Sequence, residues 1–224
     1  MSLWTKHQVF EKNSIFLLMG ILIVIAIGGL VEIAPLFYLK STIEKVDGVR
    51  PYTPLELTGR NIYVREGCYL CHSQMIRPLR DEVERYGHYS LAAESMYDRP
   101  FQWGSKRTGP DLHRIGGKFP NLWHFMHMED PRSVSPGSIM PVYPWLYTQD
   151  IDTSVVGSKI RAMQGLGVPY PKDYDRQAVA DMRAQAAGMA ADLQNQNAPA
   201  DPDKEIIAVI AYLQRLGTDI AVQR

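Results

Sequence analysis

The 224-residue sequence lacks an excess of charge of either sign, since 24 Lys and Arg side chains are balanced by 24 Asp and Glu. A chain without a basic excess has little to neutralise phosphates, which argues against nucleic-acid binding. The sequence also has only two cysteines, Cys68 and Cys71, which are too close together to staple a fold. Sustained alternation of apolar and polar residues is missing as well, so we expect few β-strands and a mainly α-helical chain.

One long hydrophobic run stands out near the N-terminus. Residues 14–39 read SIFLLMGILIVIAIGGLVEIAPLFYL, and Glu32 is the only charged residue among them. As a helix rising about 1.5 Å per residue, the run would be about 39 Å long, enough to cross a hydrocarbon core of about 30 Å. It is too long for the apolar region of a cleaved signal peptide. We therefore predict a membrane anchor in residues 1–45, spanning the membrane at about 14–39, and a separate domain in residues 46–224.

The sequence leaves three features with two interpretations each. Basic residues flank the span on both sides, so the positive-inside rule does not give its orientation. Glu32 lies near one end of the span, where a carboxylate fits either the membrane interface or a contact with a partner subunit. Apolar residues recur at helical spacing in residues 173–197, which predicts a helix that packs on its own domain or docks another subunit.

The strongest motif is C-x-x-C-H at residues 68–72, which reads CYLCH and is the attachment motif of c-type haem. Two thiols about one turn apart can reach the two vinyl groups of one porphyrin, and the adjacent His72 can bind the iron. A thioredoxin-like dithiol would need a βαβ context, and a structural zinc site would need further Cys or His ligands. The motif therefore predicts one covalent haem c held by Cys68, Cys71 and His72.

A second axial ligand to the iron is expected among the ten methionines, because a thioether raises the reduction potential of a haem. Met140 lies in PGSIMP, where prolines on both sides restrain the loop and reduce the entropy lost on binding. We predict Met140 as this ligand. The alternatives that the sequence leaves open are other methionines and, for bis-histidine ligation, three histidines: Met126, Met128, Met163, His113, His124 and His127.

Residues 109–112 read GPDL and form a candidate loop beside the haem. A histidine ligand needs a fixed acceptor for its Nδ1–H, which sets the tautomer and the ring plane. The carbonyl group of Pro110 suits this role, so we predict it as the acceptor for His72. Four basic residues are candidates for pairing with the haem propionates, and the sequence does not select among them: Arg99, Lys106, Arg107 and Arg114.

Together these segments resemble a class I cytochrome c domain: GRNIYVREGCYLCH, GPDL, SIMP and the closing IIAVIAYLQRLG. The resemblance narrows further. The N-terminal anchor, EGCYLCHSQMIRPLRDEVERYGHYS, WGSKRTGPDLHRIGGK and PGSIMPVYPWL closely resemble the mono-haem subunit of bacterial cbb3-type cytochrome c oxidases. The similarity extends over nearly the whole chain and is least distinctive at about residues 173–203.

The resemblance implies a mainly α fold, with one N-terminal transmembrane helix and a class I cytochrome c domain with long loops. It implies thioethers at Cys68 and Cys71, and His72 and Met140 as axial ligands. Electrons would come from a di-haem partner subunit or a soluble cytochrome c and pass to a catalytic subunit with haem b and copper. That partner would reduce oxygen to water and pump protons, while this chain would be non-catalytic. The haem domain would lie in the periplasm, anchored in the bacterial inner membrane. The alternative is a free-standing, membrane-anchored electron shuttle.

Overall fold

The computed structural model describes residues 3–37, 39, 43–44, 46–102, 104 and 106–221. Residue 38 of the predicted span and residue 45 at the predicted domain boundary lie outside these residues. The chain divides into two compact units, Met1–Glu44 and Lys45–Arg224. In the described ranges the secondary structure is helical, with one isolated β-bridge, so the predicted mainly α fold with an N-terminal membrane helix is confirmed.

The α-helices are α1 (Leu3–Lys12), α2 (Ser14–Ile33), α3 (Pro54–Arg65), α4 (Arg80–Tyr86), α5 (Asn121–Glu129), α6 (Pro131–Val134), α7 (Val156–Gly165), α8 (Ala178–Asn195), α9 (Glu205–Arg215) and α10 (Thr218–Ala221). Short 3-10 helices lie at Ala34–Phe37, Cys68–Leu70, Ala92–Ser95, Pro144–Tyr147, Thr153–Val155 and Tyr174–Arg176.

The first unit contains the helix that is long and apolar enough to span a membrane. Asn13 caps α2 by accepting hydrogen bonds from the amides of Ile15 at 3.1 Å and Phe16 at 3.4 Å. Residues Ser14–Leu36 have a mean hydropathy of 2.8, and no residue of α2 is buried. The α-helix is shorter than the predicted span because it gives way to a 3-10 turn next to Pro35, which has no amide proton to donate.

The second unit opens with α3, whose start follows from its sequence. The hydroxyl of Thr53 accepts from the Glu56 amide at 3.2 Å, and the Glu56 carboxylate accepts from the Thr53 amide at 2.8 Å. Pro54 occupies the first helical position, where its missing N–H would have no partner within the helix. These reciprocal contacts form a capping box, which is typical of a Thr followed three residues later by a Glu.

The core of the second unit lies where α3 crosses α9. A side-chain Cβ at Gly59 would overlap the Ala208 carbonyl oxygen, so only glycine allows the two backbones to come this close. The rings of Tyr63 and Tyr212 fill the crossing with centroids 5.2 Å apart. Nearly every side chain of α9 is buried, which makes this helix the centre of the domain.

Asp201 does not cap α9, although its sequence would suit that role, because the helix begins at Glu205. The Asp201 carboxylate instead accepts from the Asp203 amide at 3.0 Å and closes a turn before the helix. The chain then pairs with a distant segment, since the Lys204 ammonium lies 2.5 Å from the Asp150 carboxylate. Lys204 is extended where it forms an isolated β-bridge with Asp150, and α9 begins at the next residue.

The two interpretations of residues 173–197 are resolved by α8. Met182, Ala186 and Leu193 are all buried, and they belong to the same hydrophobic core as α3 and α9. Val179 and Met189 are half-buried against that core. The apolar stripe therefore packs on its own domain.

Candidate haem-attachment site

The C-x-x-C-H motif forms a single tight turn directly after α3, which we call the attachment turn (residues 68–72). The amides of Cys71 and His72 donate to the Cys68 carbonyl oxygen at 3.2 and 2.9 Å. Both cysteines are free thiols; Cys68 is half-buried and Cys71 is exposed. Burial raises the pKa of Cys68 to about 12, which keeps it a thiol at neutral pH. The turn therefore presents two thiol groups and one imidazole within five residues.

The imidazole of His72 is held by the backbone of a second segment, residues 109–113, which we call the acceptor segment. Its Nδ1 lies 2.8 Å from the Pro110 carbonyl oxygen, which can only accept, so Nδ1 carries the proton. A Cβ at Gly109 would lie 2.7 Å from Nδ1 and 2.8 Å from Nε2, so the glycine makes room for the ring. Burial lowers the pKa of His72, which favours the neutral ring. Among the described residues Nε2 has no hydrogen-bond partner, and a neutral imidazole with a fixed Nδ1–H and such an Nε2 fits a haem iron.

Main-chain hydrogen bonds tie the acceptor segment to the attachment turn. The Gly109 amide donates to the Cys71 carbonyl oxygen at 2.9 Å, and the Leu112 amide donates to the Ser73 carbonyl oxygen at 2.9 Å. Sequence reasoning missed two side chains at this junction, Ser73 and Asp111, both of which are buried. Their only signal in the sequence is a carboxylate directly after the predicted acceptor.

Met140 lies in a loop of residues 136–143, called here the methionine loop, and is half-buried against the core. Its amide donates to the Ser138 hydroxyl at 3.2 Å. Burial is the main cause of a raised pKa at Tyr143, and Cys68 and Cys71 raise this pKa further. The indole of Trp145 donates to Glu66 at 3.0 Å, just before the turn. The chain that follows Met140 is thus fixed beside the cysteines.

The alternative ligands differ in their burial and in whether their ring nitrogens already have hydrogen-bond partners. Nδ1 of His113 is hydrogen-bonded to the Ser90 hydroxyl, whereas its Nε2 lies 3.8 Å from Glu94, beyond hydrogen-bond distance. His124 is buried, and its Nε2 has no hydrogen-bond partner within the described part of the chain. His127 stacks on Trp123 with ring centroids 4.6 Å apart. Met128 and Met163 are buried in the core, whereas Met126 is exposed.

Two of the candidate propionate partners already have carboxylate partners within the chain. Arg107 donates to Glu82 at 2.7 Å, and Arg114 donates to both oxygens of Glu94 at 2.8 Å. Arg99 donates to a backbone carbonyl oxygen at 2.8 Å. Arg107 and Arg114 therefore each form an ion pair within the chain.

Comparison with known protein families gives one match. The family model described as "Cytochrome C oxidase, mono-heme subunit/FixO" matches residues 7–220, which is nearly the whole chain. No curated protein matches the sequence.

Proposed function

Because the chain belongs to the family of mono-haem subunits of cytochrome c oxidase, we propose that it binds one haem c covalently and passes electrons to the catalytic subunit of the oxidase. In this proposal the chain is non-catalytic: the partner subunit with haem b and copper reduces oxygen to water and pumps protons. The arrangement of His72 carries the proposal, since Pro110 fixes its Nδ1 and Gly109 leaves room for its ring.

Each residue of the site has a separate role. Cys68 and Cys71 form the two thioethers, which prevent loss of the cofactor and fix its orientation. His72 would hold the haem iron through Nε2, and Met140 would hold it through its thioether sulfur. Bound haem supplies a one-electron carrier, whose reduction potential a thioether ligand raises.

The surrounding side chains keep water away from the ligands. Cys68, Leu112, Met140 and Tyr143 all pack against the hydrophobic core of the second unit. An apolar shell around a metal site limits solvent access and lowers the local dielectric constant, and both tune the reduction potential. The fold therefore contributes to the potential as well as to binding.

The proposed partners follow from membership of an oxidase family and from α2. The apolar helix anchors the chain in the bacterial inner membrane, and the haem domain lies in the periplasm, where haem c is attached. The electron donor is a di-haem partner subunit or a soluble cytochrome c. The acceptor is the haem b of the catalytic subunit.

Purification of the native protein in detergent tests this function. A pyridine haemochrome spectrum and a metal analysis of the purified material are expected to report haem c, haem b and copper together with this chain. A chain that purifies alone with haem c would contradict the oxidase role and support a free-standing shuttle. Carbon monoxide binding to its reduced haem c would show an open sixth position and contradict ligation by Met140.

A further inference from the structure

We infer that Asp111 is a positioning residue for His72: with Ser73 and Arg107, its buried carboxylate holds the Pro110 carbonyl group in place for the imidazole. The inference rests on the proposed function, in which His72 is a haem ligand. Main-chain hydrogen bonds already hold the acceptor segment beside the attachment turn. The network adds side-chain hydrogen bonds to them.

The carboxylate of Asp111 joins two segments that are far apart in sequence. One oxygen, Oδ2, accepts from the Ser73 hydroxyl at 2.6 Å and from the Met75 amide at 2.9 Å. The other, Oδ1, accepts from the His113 amide at 2.8 Å. The side chain is fully buried, so these three donors replace its hydration. Asp111 thus clamps residues 73–75 onto the acceptor segment.

Arg107 completes the network from the other side. Its Nε donates to the Ser73 hydroxyl at 2.6 Å, its terminal nitrogen donates to the Met75 carbonyl oxygen at 2.9 Å, and that nitrogen lies 3.5 Å from Asp111. The same nitrogen donates to Glu82 at 2.7 Å. The Ser73 hydroxyl therefore accepts from Arg107 and donates to Asp111, so each polar group has a defined direction. A buried charge paired and hydrogen-bonded in this way rigidifies its surroundings.

Pro110 depends on this network because it has no amide proton of its own with which to bind the neighbouring segment. Its position comes from the residues on either side: Gly109 through its amide, and Asp111 through its carboxylate. Loss of the carboxylate leaves the C-terminal side of Pro110 tied only by the Leu112 amide, which donates to the Ser73 carbonyl oxygen. The Nδ1–H···O bond should then lengthen and make the imidazole a weaker donor to iron.

The expected sign of the effect on the haem is the same for two reasons. A weaker imidazole donor stabilises the oxidised iron less, and removal of a nearby negative charge does so too. The reduction potential should therefore rise when Asp111 is replaced by asparagine. Loss of the network should also change the orientation of the His72 ring, whereas removal of a charge alone should leave that orientation unchanged.

The test uses the full-length chain with its haem, purified in detergent. Three variants are compared with the wild type: Asp111→Asn, Ser73→Ala, and the control Asp81→Asn. Asp81 is exposed on α4 and carries the same charge, so it controls for the loss of one unit of net charge from the chain. The readouts are the midpoint potential, by spectroelectrochemical titration, and the paramagnetically shifted NMR signals of the His72 ring.

We expect Asp111→Asn to raise the potential and to move the His72 ring signals. Ser73→Ala, which changes no charge, should shift the potential and the ring signals in the same direction but by less. Asp81→Asn should leave the potential and the ring signals unchanged. A tenfold change in the ratio of oxidised to reduced haem corresponds to about 59 mV for one electron. If the Asp111→Asn variant does not fold, the potential and ring signals of Ser73→Ala test the inference instead.

Either of two results would overturn the inference. The first is an equal rise in potential for Asp111→Asn and Asp81→Asn with no change for Ser73→Ala, which would mean charge alone. The second is an unchanged set of His72 ring signals in both network variants. Failure of the proposed function would be seen in a different measurement. In that case the wild-type chain would give no haem c signal in the pyridine haemochrome spectrum.

Discussion

The two sides of the proposed haem site differ in how much of their geometry the polypeptide fixes by itself. On the His72 side, main-chain bonds and the buried carboxylate of Asp111 join the acceptor segment to the attachment turn. On the Met140 side, the ligand is half-buried and its amide donates to the Ser138 hydroxyl of the same loop at 3.2 Å. The Met140 carbonyl oxygen lies 3.5 Å from the Arg132 guanidinium. We expect the imidazole ligand to be pre-formed and the thioether ligand to be ordered by its bond to iron.

The largest effect on the site is expected from Gly109→Ala. The new methyl group would lie within van der Waals overlap of the His72 ring and push it away from Pro110. Loss of this hydrogen bond costs about 1–3 kcal/mol, so ligation by His72 should weaken by about tenfold or more. Haem c per chain, measured by pyridine haemochrome, should fall while the far-UV circular dichroism is retained.

Gly137→Ala is the matched control on the methionine side. A Cβ at Gly137 meets no atom within 4 Å, so this variant should bind haem normally. A normal haem content and an unchanged spectrum in Gly109→Ala would show that the His72 side is less rigid than the structure indicates.

Met140→Ala should remove one ligand and leave the rest of the site in place. The near-infrared sulfur-to-iron charge-transfer band should disappear and the reduction potential should fall, because a thioether raises it. Loss of a half-buried side chain should destabilise the fold by only about 1 kcal/mol. Met126→Ala, at an exposed position, is the control. Survival of the band in Met140→Ala would assign the ligand to another residue.

Glu82→Gln should affect stability on the His72 side in a pH-dependent way. Hydrogen bonds from Arg107 and Arg77 lower the pKa of Glu82 to about 2, from an ordinary value of 4.5. A lowered carboxyl pKa stabilises the fold above pH 4.5, and this contribution is lost as the pH falls towards 2. The variant should therefore be less stable by about 1–2 kcal/mol at pH 7 and equal to the wild type near pH 2.

Denaturant unfolding at several pH values measures this difference. Glu84→Gln is the control, because Glu84 forms an exposed ion pair with Arg80 one turn along α4. Such exposed pairs contribute less than about 0.5 kcal/mol. A constant deficit for Glu82→Gln from pH 7 to pH 2 would contradict the charge-based explanation.

The smallest effect is expected from Arg132→Ala on the methionine side. The guanidinium of Arg132 is exposed and reaches the Met140 carbonyl oxygen only at 3.5 Å, which is a weak hydrogen bond. The midpoint potential should be unchanged, and the unfolding free energy should change by less than about 0.5 kcal/mol. A clear shift in the potential would mean that the methionine loop is positioned by the protein after all.

The features that could be predicted from sequence are those set by short-range chemistry. The capping box at Thr53 needs only Glu56 three residues away. The start of α9 was not predictable in this way, because a contact with Asp150 holds Lys204 extended. That pairing joins residues 54 positions apart and leaves no local pattern.

The network around Asp111 escapes sequence reasoning for the same reason. Its partners Ser73 and Met75 lie 38 and 36 residues away, and nothing local distinguishes this aspartate from one that caps a turn. The GPDL segment does indicate that a backbone acceptor is close to the motif, since the proline restrains its own loop. Which side chains hold that acceptor becomes visible only in three dimensions.

The acceptor for His72 has a consequence for how the site responds to mutation. Every amino acid carries a carbonyl group, so no substitution at position 110 can delete the hydrogen-bond partner of the imidazole. Replacing Pro110 changes only the angle at which the carbonyl is offered, by releasing a φ angle that the proline ring restricts. The orientation of this histidine can therefore be tuned in small steps, whereas a side-chain acceptor would be lost in a single substitution.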